Sequence, residues 1–329
     1  MQTPVFLDHL PDVSDVSGGK TERYRHLRNN ALLELLLDSS TQWHDRDCPA
    51  CGSPVAQSQT FGQAFIPFQR CAACNTIYAA RVPAQQRLDA LRLQLPQAQP
   101  GTTPAGDEAE DHSFEFISTL NWVSLTAGHL GRGIDRVLDY RFTTHAPRWE
   151  DVVAKLSHNR RWQHLPLAAE TGEGFDDLAE AVDTFRPDAI LIQAEMDRVA
   201  SPDRLLDRIR QAARPGTLVF IASSCADGLE YELLGSASPS FIPLDRLTVF
   251  SIAGLETLAR RLGYEVLEKS TPGRRDAIIL RQYFLQANND NVPFWSGFFR
   301  DADKDRLTDL QILLQRSLRS SLLRFVIQT

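Results

Sequence analysis

Residues 188–223 read DAILIQAEMDRVASPDRLLDRIRQAARPGTLVFIAS, and the reading of this stretch decides the fold. Residues 188–193 are a continuous apolar run, as a strand buried on both faces requires. Ser201 is expected to cap a helix that extends through Ala213, and Arg214-Pro215-Gly216 ends it. Residues 217–223 are then a second buried strand. Strand, helix and strand in this order build a mostly parallel sheet with helices on its faces.

The same alternation extends outward in both directions. Upstream lie short apolar strands at 136–140 (RVLDY) and 162–168, with helices expected over 114–130, 149–157 and 175–185. In the last of these Leu178, Val182 and Phe185 share one face. Downstream, a helix at 251–262 stops at Gly263, and strands are expected at 264–269 and 277–283. The fold class is α/β, with a doubly wound, mostly parallel sheet. The chain ends with an aromatic cluster, Phe294, Trp295, Phe298 and Phe299, and a helix expected over 301–325. Leu307, Leu310, Leu313, Leu314, Leu318 and Leu322 form a stripe along that helix, with Arg316, Arg319 and Arg324 beside it. Such a helix suits a lid, a homodimer or heteromer contact, or another partner-binding element. The aromatic cluster either marks a partner or substrate surface or packs back onto the domain.

Before residue 112 the pattern is different. A helix is expected over 21–37. Two cysteine pairs follow, Cys48-x2-Cys51 and Cys71-x2-Cys74, nineteen residues apart, with strand-like sequence between them. A C-x2-C knuckle turns two thiolates toward one ion, with backbone amides pointing at the sulfurs. Two knuckles complete a tetrahedral shell, which makes these four cysteines a structural zinc site with no open coordination position. Gly52 and Asn75 follow the knuckles and both tolerate the positive φ such turns need. His44 is either a substitute ligand or a surface histidine, and Cys225 reads as a small buried hydrophobe. The boundaries are then an N-terminal helical segment over 1–40, a zinc ribbon over 41–95, a linker over 96–111, an α/β domain over 112–285 and a tail over 286–329.

Composition narrows the function. The chain has 329 residues, 43% of them hydrophobic, and a formal net charge of −7. That acidity, with Arg70 as the single basic residue between Cys48 and Cys74, argues against a nucleic-acid surface. The first fifteen residues lack the basic and apolar regions of a signal peptide, and no apolar run reaches the ~18 residues of a membrane span. Four of the five cysteines sit in tight pairs, a metal pattern suited to a reducing compartment. The expected location is the cytoplasm.

A ribbon of the form C-x2-C-G and C-x2-C-x3-Y, here at 48–52 and 71–78, ahead of a doubly wound domain resembles the zinc-ribbon branch of the class I S-adenosylmethionine-dependent methyltransferases. Val137-Leu138-Asp139 resembles that family's first strand and 188–193 its fourth. Arg214-Pro215-Gly216 with 217–220 resembles its turn and fifth strand. Phe250-Ser251, Leu255, Leu258 and Gly263-Tyr264-Glu265-Val266 resemble a later motif. The likeness spans roughly residues 45–285. It implies S-adenosylmethionine as cofactor, a small molecule or sugar as substrate, and a cofactor site at Asp139 and Tyr140 with Glu170 toward the ribose. The chain departs from the family in two places. The turn at 140–147 holds no glycine, and the family's Glu-His pair is replaced by Asp197-Arg198.

His145, in the turn after the first strand, lies where α/β sheets place their ligands. With Asp139, Arg141 and Asp197 it suits a polar cleft, as a general base or anion-binding group, although loop histidines are also ordinary surface residues. Glu195 and Asp197 are either paired carboxylates or solvated. Two functions follow. One is a methyltransferase in a biosynthetic pathway. The other is a catalytically degenerate, methyltransferase-like binding or scaffolding subunit of a biosynthetic complex.

Overall fold

The computed structural model describes residues 18–64, 66–94, 107–141, 161–166, 175–193, 195–243, 246–287 and 292–329. Its main sheet has six strands. In chain order these are β6 (Arg136–Arg141), β7 (Arg161–Pro166), β8 (Ala189–Gln193), β9 (Leu218–Ser224), β11 (Glu265–Ser270) and β12 (Leu322–Gln328). Their spatial order is β11-β12-β9-β8-β6-β7. The four strands β9, β8, β6 and β7 run parallel, while β12 is antiparallel to both β9 and β11. The expected mixed α/β fold with a mostly parallel sheet is therefore observed.

Both faces of this sheet are covered, which explains the unbroken apolar runs. Val137, Leu191, Phe220 and Val326 point to one face, where α3 (Asp107–Leu130) packs through Leu120, Trp122, Val123 and Ala127. Leu138, Ile190, Ile192, Ile221 and Phe325 point to the other. There they meet α4 (Asp176–Phe185), α5 (Pro202–Ala212) and α7 (Ile252–Arg261). Ser201 precedes α5 as expected, but its side chain makes no capping bond; Pro202 at the first position starts the helix. Ser251 does cap α7, accepting from the Gly254 amide at 2.8 Å, and Gly263 at φ 77° ends it.

The first hundred residues contribute α1 (Gly18–Leu37), β1 (Trp43–Asp45), β2 (Ser58–Ala64), β3 (Ile66–Cys71), β4 (Ile77–Ala79), β5 (Arg81–Pro83) and α2 (Gln85–Gln94). β1 pairs with β5, and β2, β3 and β4 form an antiparallel sheet. That small sheet takes its fourth strand, β10 (Thr248–Val249), from the other end of the chain.

Two sequence expectations change. Residues 277–283 form part of a helix, α8 (Asp276–Ala287), rather than a strand. Its apolar run buries Ala277, Ile278, Leu280 and Phe284, and a short apolar run alone does not separate a buried helix from a strand. The helix expected over 301–325 ends at Arg316 as α10 (Lys304–Arg316). Leu318 takes a left-handed φ of 59°, the Arg319 amide returns to the Leu314 carbonyl at 2.7 Å, and the chain leaves as β12 between β9 and β11. The leucine stripe is thus divided: Leu307, Leu310 and Leu314 pack in a cluster with α8, α6 (Leu229–Leu234) and α9 (Pro293–Asp301), Leu313 is exposed, and Leu322 opens β12. The aromatic cluster packs back in part, with Phe299 stacked on Phe284 at 5.3 Å and Phe294 73% exposed. The expected helix at 149–157 lies outside the described residues. Among the described residues no helix is long and apolar enough to cross a membrane.

Candidate metal centre and sheet edge

Each cysteine pair makes the same tight turn. The Gly52 amide donates to the Cys48 carbonyl at 2.8 Å, and the Asn75 amide to the Cys71 carbonyl at 2.8 Å. Each turn closes with a second bond, from Cys48 N to Ser53 O at 3.0 Å and from Cys71 N to Thr76 O at 2.9 Å. Gly52 and Asn75 hold φ values of 77° and 63°, as their positions required. In this turn the amides of Ala50 and Cys51 reach the Cys48 sulfur, and those of Ala73 and Cys74 the Cys71 sulfur.

The two knuckles face each other. All four sulfurs lie within 4.8 Å of one another. Cys48 Sγ is 3.6 Å from Cys74 Sγ, and Cys51 Sγ is 3.5 Å from Cys71 Sγ. A tetrahedron with zinc–sulfur bonds of ~2.3 Å has edges of roughly 3.8 Å, so little adjustment brings the four thiols around one ion. An all-sulfur set of this shape can hold zinc. Hydrogen bonds from Cys48 and from Thr76 draw the Cys74 thiol down to about 5, while its role as donor to Cys74 and its burial push the Cys48 thiol up. His44 stays outside this group, exposed on β1.

The surroundings of the knuckles are not equivalent. Cys74 lies against the start of α7: Ser251 Oγ donates to the Cys74 carbonyl, and the Ser251 amide donates to Thr76 Oγ1 at 3.3 Å. A Cβ on Gly254 would collide with Thr76 Oγ1, so this contact needs glycine. Cys51, half-buried, meets Cys71 across the site and, in its own loop, Ser53 Oγ 3.2 Å away. The first knuckle is tied down by Arg46 instead. Its guanidinium donates to the carbonyls of Ala79 at 2.8 Å, Ala200 at 2.7 Å and Leu247 at 2.6 Å. Burial lowers the Arg46 pKa to about 10, which leaves it charged at neutral pH. Sequence reading passed over Arg46, Thr76 and Gly254, since an arginine two residues before a cysteine pair carries no motif.

The switch point of the main sheet lies elsewhere. From β6 the chain first adds β7 on one side and then β8 and β9 on the other, so the order reverses between β6 and β8. At such a switch point the carboxyl ends of adjacent strands diverge and open a crevice. Asp139 and Tyr140 stand at the end of β6, and both are buried. His145 and Glu170 lie outside the described residues.

Beyond β8, Asp197 is fully enclosed. Its carboxylate pairs with Arg246 and accepts from the Ser224 amide at 3.3 Å. Its carbonyl accepts from the amides of Leu247 at 2.7 Å and Thr248 at 3.1 Å. Glu195 is buried 3.7 Å from the Arg198 guanidinium. Neither carboxylate is solvated: both are buried, and Asp197 lies under the chain segment that returns through 246–248. Cys225 is wholly buried and bridges Phe250, and burial pushes its thiol pKa up.

No protein-family model matches the sequence, and no curated protein matches it. Solved structures do. The plantazolicin methyltransferase BpumL in complex with SAH is 13% identical, with a TM-score of 0.42 over 74% of this chain and 95% of that one. The cyclase SpnF is 13% identical, with a TM-score of 0.34 over 64% of this chain and 80% of that one. A phosphoethanolamine N-methyltransferase from Haemonchus contortus in complex with S-adenosyl-L-methionine is 14% identical, with a TM-score of 0.35 over 59% of this chain and 48% of that one. At these TM-scores the likenesses carry nothing about activity, and the fold rests on the strand order itself.

Proposed function

We propose that this is a methyltransferase-like protein in which Cys48, Cys51, Cys71 and Cys74 hold a structural zinc ion and the switch point between β6 and β8 receives S-adenosylmethionine. One observation carries the reading: Asp139, a buried carboxyl group, stands in the second half of β6, toward the edge where a doubly wound sheet takes its ligands. In this reading Asp139 and Tyr140 line the cofactor site, with Glu170 toward the ribose, and the cofactor supplies an electrophilic methyl group. His145 is the base that takes the proton from the acceptor. The acceptor is a small molecule or sugar, and the paired, reduced cysteines suit work in the cytoplasm.

A second reading is favoured by Asp197. It stands where the resembled family has its acid–base pair, and here its carboxylate is committed to Arg246. A scaffold that had lost catalysis could keep this ion pair for its fold, and would serve as a binding subunit of a biosynthetic complex.

Calorimetric titration of the full chain with S-adenosylmethionine and S-adenosylhomocysteine separates the two. Binding that disappears in Asp139→Ala supports the enzyme. An absence of binding at roughly millimolar ligand overturns it and leaves the binding subunit.

A further inference from the structure

The ribbon and the α/β domain are joined by three links that converge on the metal site. First, β4 pairs with β10 through Tyr78 and Ile77, and the Ala79 amide donates to the Leu247 carbonyl at 2.8 Å. A two-residue strand such as β10 has little hold of its own. Yet the amides of Leu247 and Thr248, at its start, are what bind the Asp197 carbonyl in the turn beyond β8. Second, Ser251 both caps α7 and bonds the Cys74 knuckle, so the first turn of that helix is built on the metal loop. Third, Arg46, two residues ahead of Cys48, binds Leu247 and Ala200 together. The apolar core follows the same route. Cys48, Ala50, Cys71, Cys74 and Tyr78 belong to one cluster with Ile192, Met196, Phe250 and Leu255.

We propose that the metal site is a clamp on the carboxyl edge of the main sheet: the ion fixes β4, β4 holds β10, and β10 with Ser251 sets the turn at 195–200 and the start of α7. This rests on the reading of the four cysteines as metal ligands. An independent ribbon would bury its own small core and leave the sheet untouched. Here the small sheet is completed by a strand of the other region, so the free energy of metal binding becomes folding free energy for the joint. The segments held are those that flank Asp197 and Arg246, so metal occupancy governs the shape of the edge beyond β8.

Hydrogen exchange of the full chain, purified from zinc-containing medium and followed with and without a chelator, tests this, with metal content measured in parallel. On chelation, amides in 195–200 and 247–262 should exchange at least about tenfold faster, together with those of 43–83. Complete loss of protection is the clamp in its strongest form. Acceleration confined to 43–83 overturns it. Ser251→Ala keeps all four thiols and should keep its metal, while amides 252–256 exchange faster even without chelator; wild-type exchange there also overturns the clamp. A chain that carries no metal and takes up none in a zinc titration overturns the ligand reading itself, a result separate from the exchange pattern.

Discussion

The knuckles at Cys48 and Cys71 have the same backbone turn, the same pair of closing hydrogen bonds and the same left-handed residue, yet they are held in different ways. The second is built into the α/β domain by main-chain pairing and by the first turn of α7. The first is held by side chains instead, by Arg46 just ahead of it and by Arg261, which donates to the Pro49 carbonyl at 3.4 Å, and its Cys51 is half-buried. Local sequence therefore sets a metal-binding turn, while its energetic weight comes from what the turn is packed against.

Ligand substitutions test this difference with the largest expected effect. Cys74→Ser and Cys51→Ser should both lose stoichiometric zinc. Cys74→Ser should cost more than about 4 kcal/mol or fail to fold, because the knuckle released by metal loss there carries the carbonyl on which Ser251 and the start of α7 are seated. Equal denaturant midpoints for the two variants would break the comparison. Arg46→Ala should follow at about 3 kcal/mol, since three carbonyl oxygens lose a charged donor. Metal content in that variant should stay at one equivalent, which a colorimetric zinc assay checks.

Glycine substitutions sharpen the contrast on a smaller scale. Gly254→Ala forces a methyl group against Thr76 and should cost about 1–3 kcal/mol. Gly52→Ala meets only the end of the Arg261 side chain, at 3.3 Å, and should cost about 1 kcal/mol for the left-handed backbone. Thermal melts of the two proteins should rank them in that order.

A remote carboxyl group provides the smallest effect and a control. Glu230 is buried, accepts from Ser238 Oγ and, at 3.4 Å, from the Ser240 amide, and lies near Asp276. Burial first, and then the charge of Asp276, raises its pKa above the model-compound value of 4.5. The folded state then holds this proton more tightly than the unfolded chain. The group's contribution is at its fullest below that value and is lost as pH rises through the folded-state pKa. Glu230→Gln should therefore be at least as stable as the parent near about pH 8 and gain nothing near about pH 4, with zinc content unchanged. Melting temperatures at the two pH values decide it. An equal loss at both would show that the bonds to Ser238 and Ser240 outweigh the buried charge.

Much of this molecule could be read from the chain alone. Residues 189–192 and 218–222 are apolar throughout because helices cover both faces of the sheet, and that pattern is local. Residues 277–280, in the strand expected at 277–283, are apolar too and are helical, because their burial comes from α6, α9 and α10 rather than from sheet neighbours. The leucine stripe of the tail misled in the same way. Nothing in the local sequence shows that β12 finds a slot between β9 and β11, about a hundred residues behind β9 in the chain. The site divides similarly. Cysteine spacing marked the four ligands, because a knuckle is a six-residue turn. The buried ion pair between Asp197 and Arg246 was hidden, because its partners are 49 residues apart.

The sequence by itself determined the alternation of strands and helices, the pair of metal-binding turns and the residues able to hold positive φ, since each depends on neighbours a few positions away. Only the tertiary structure decided that β10 completes the ribbon sheet, that α7 begins on Cys74 and that Arg46 ties Ala200 to Leu247. Those contacts span 154 to 201 residues of chain, and no local preference encodes a partner that folding alone brings near.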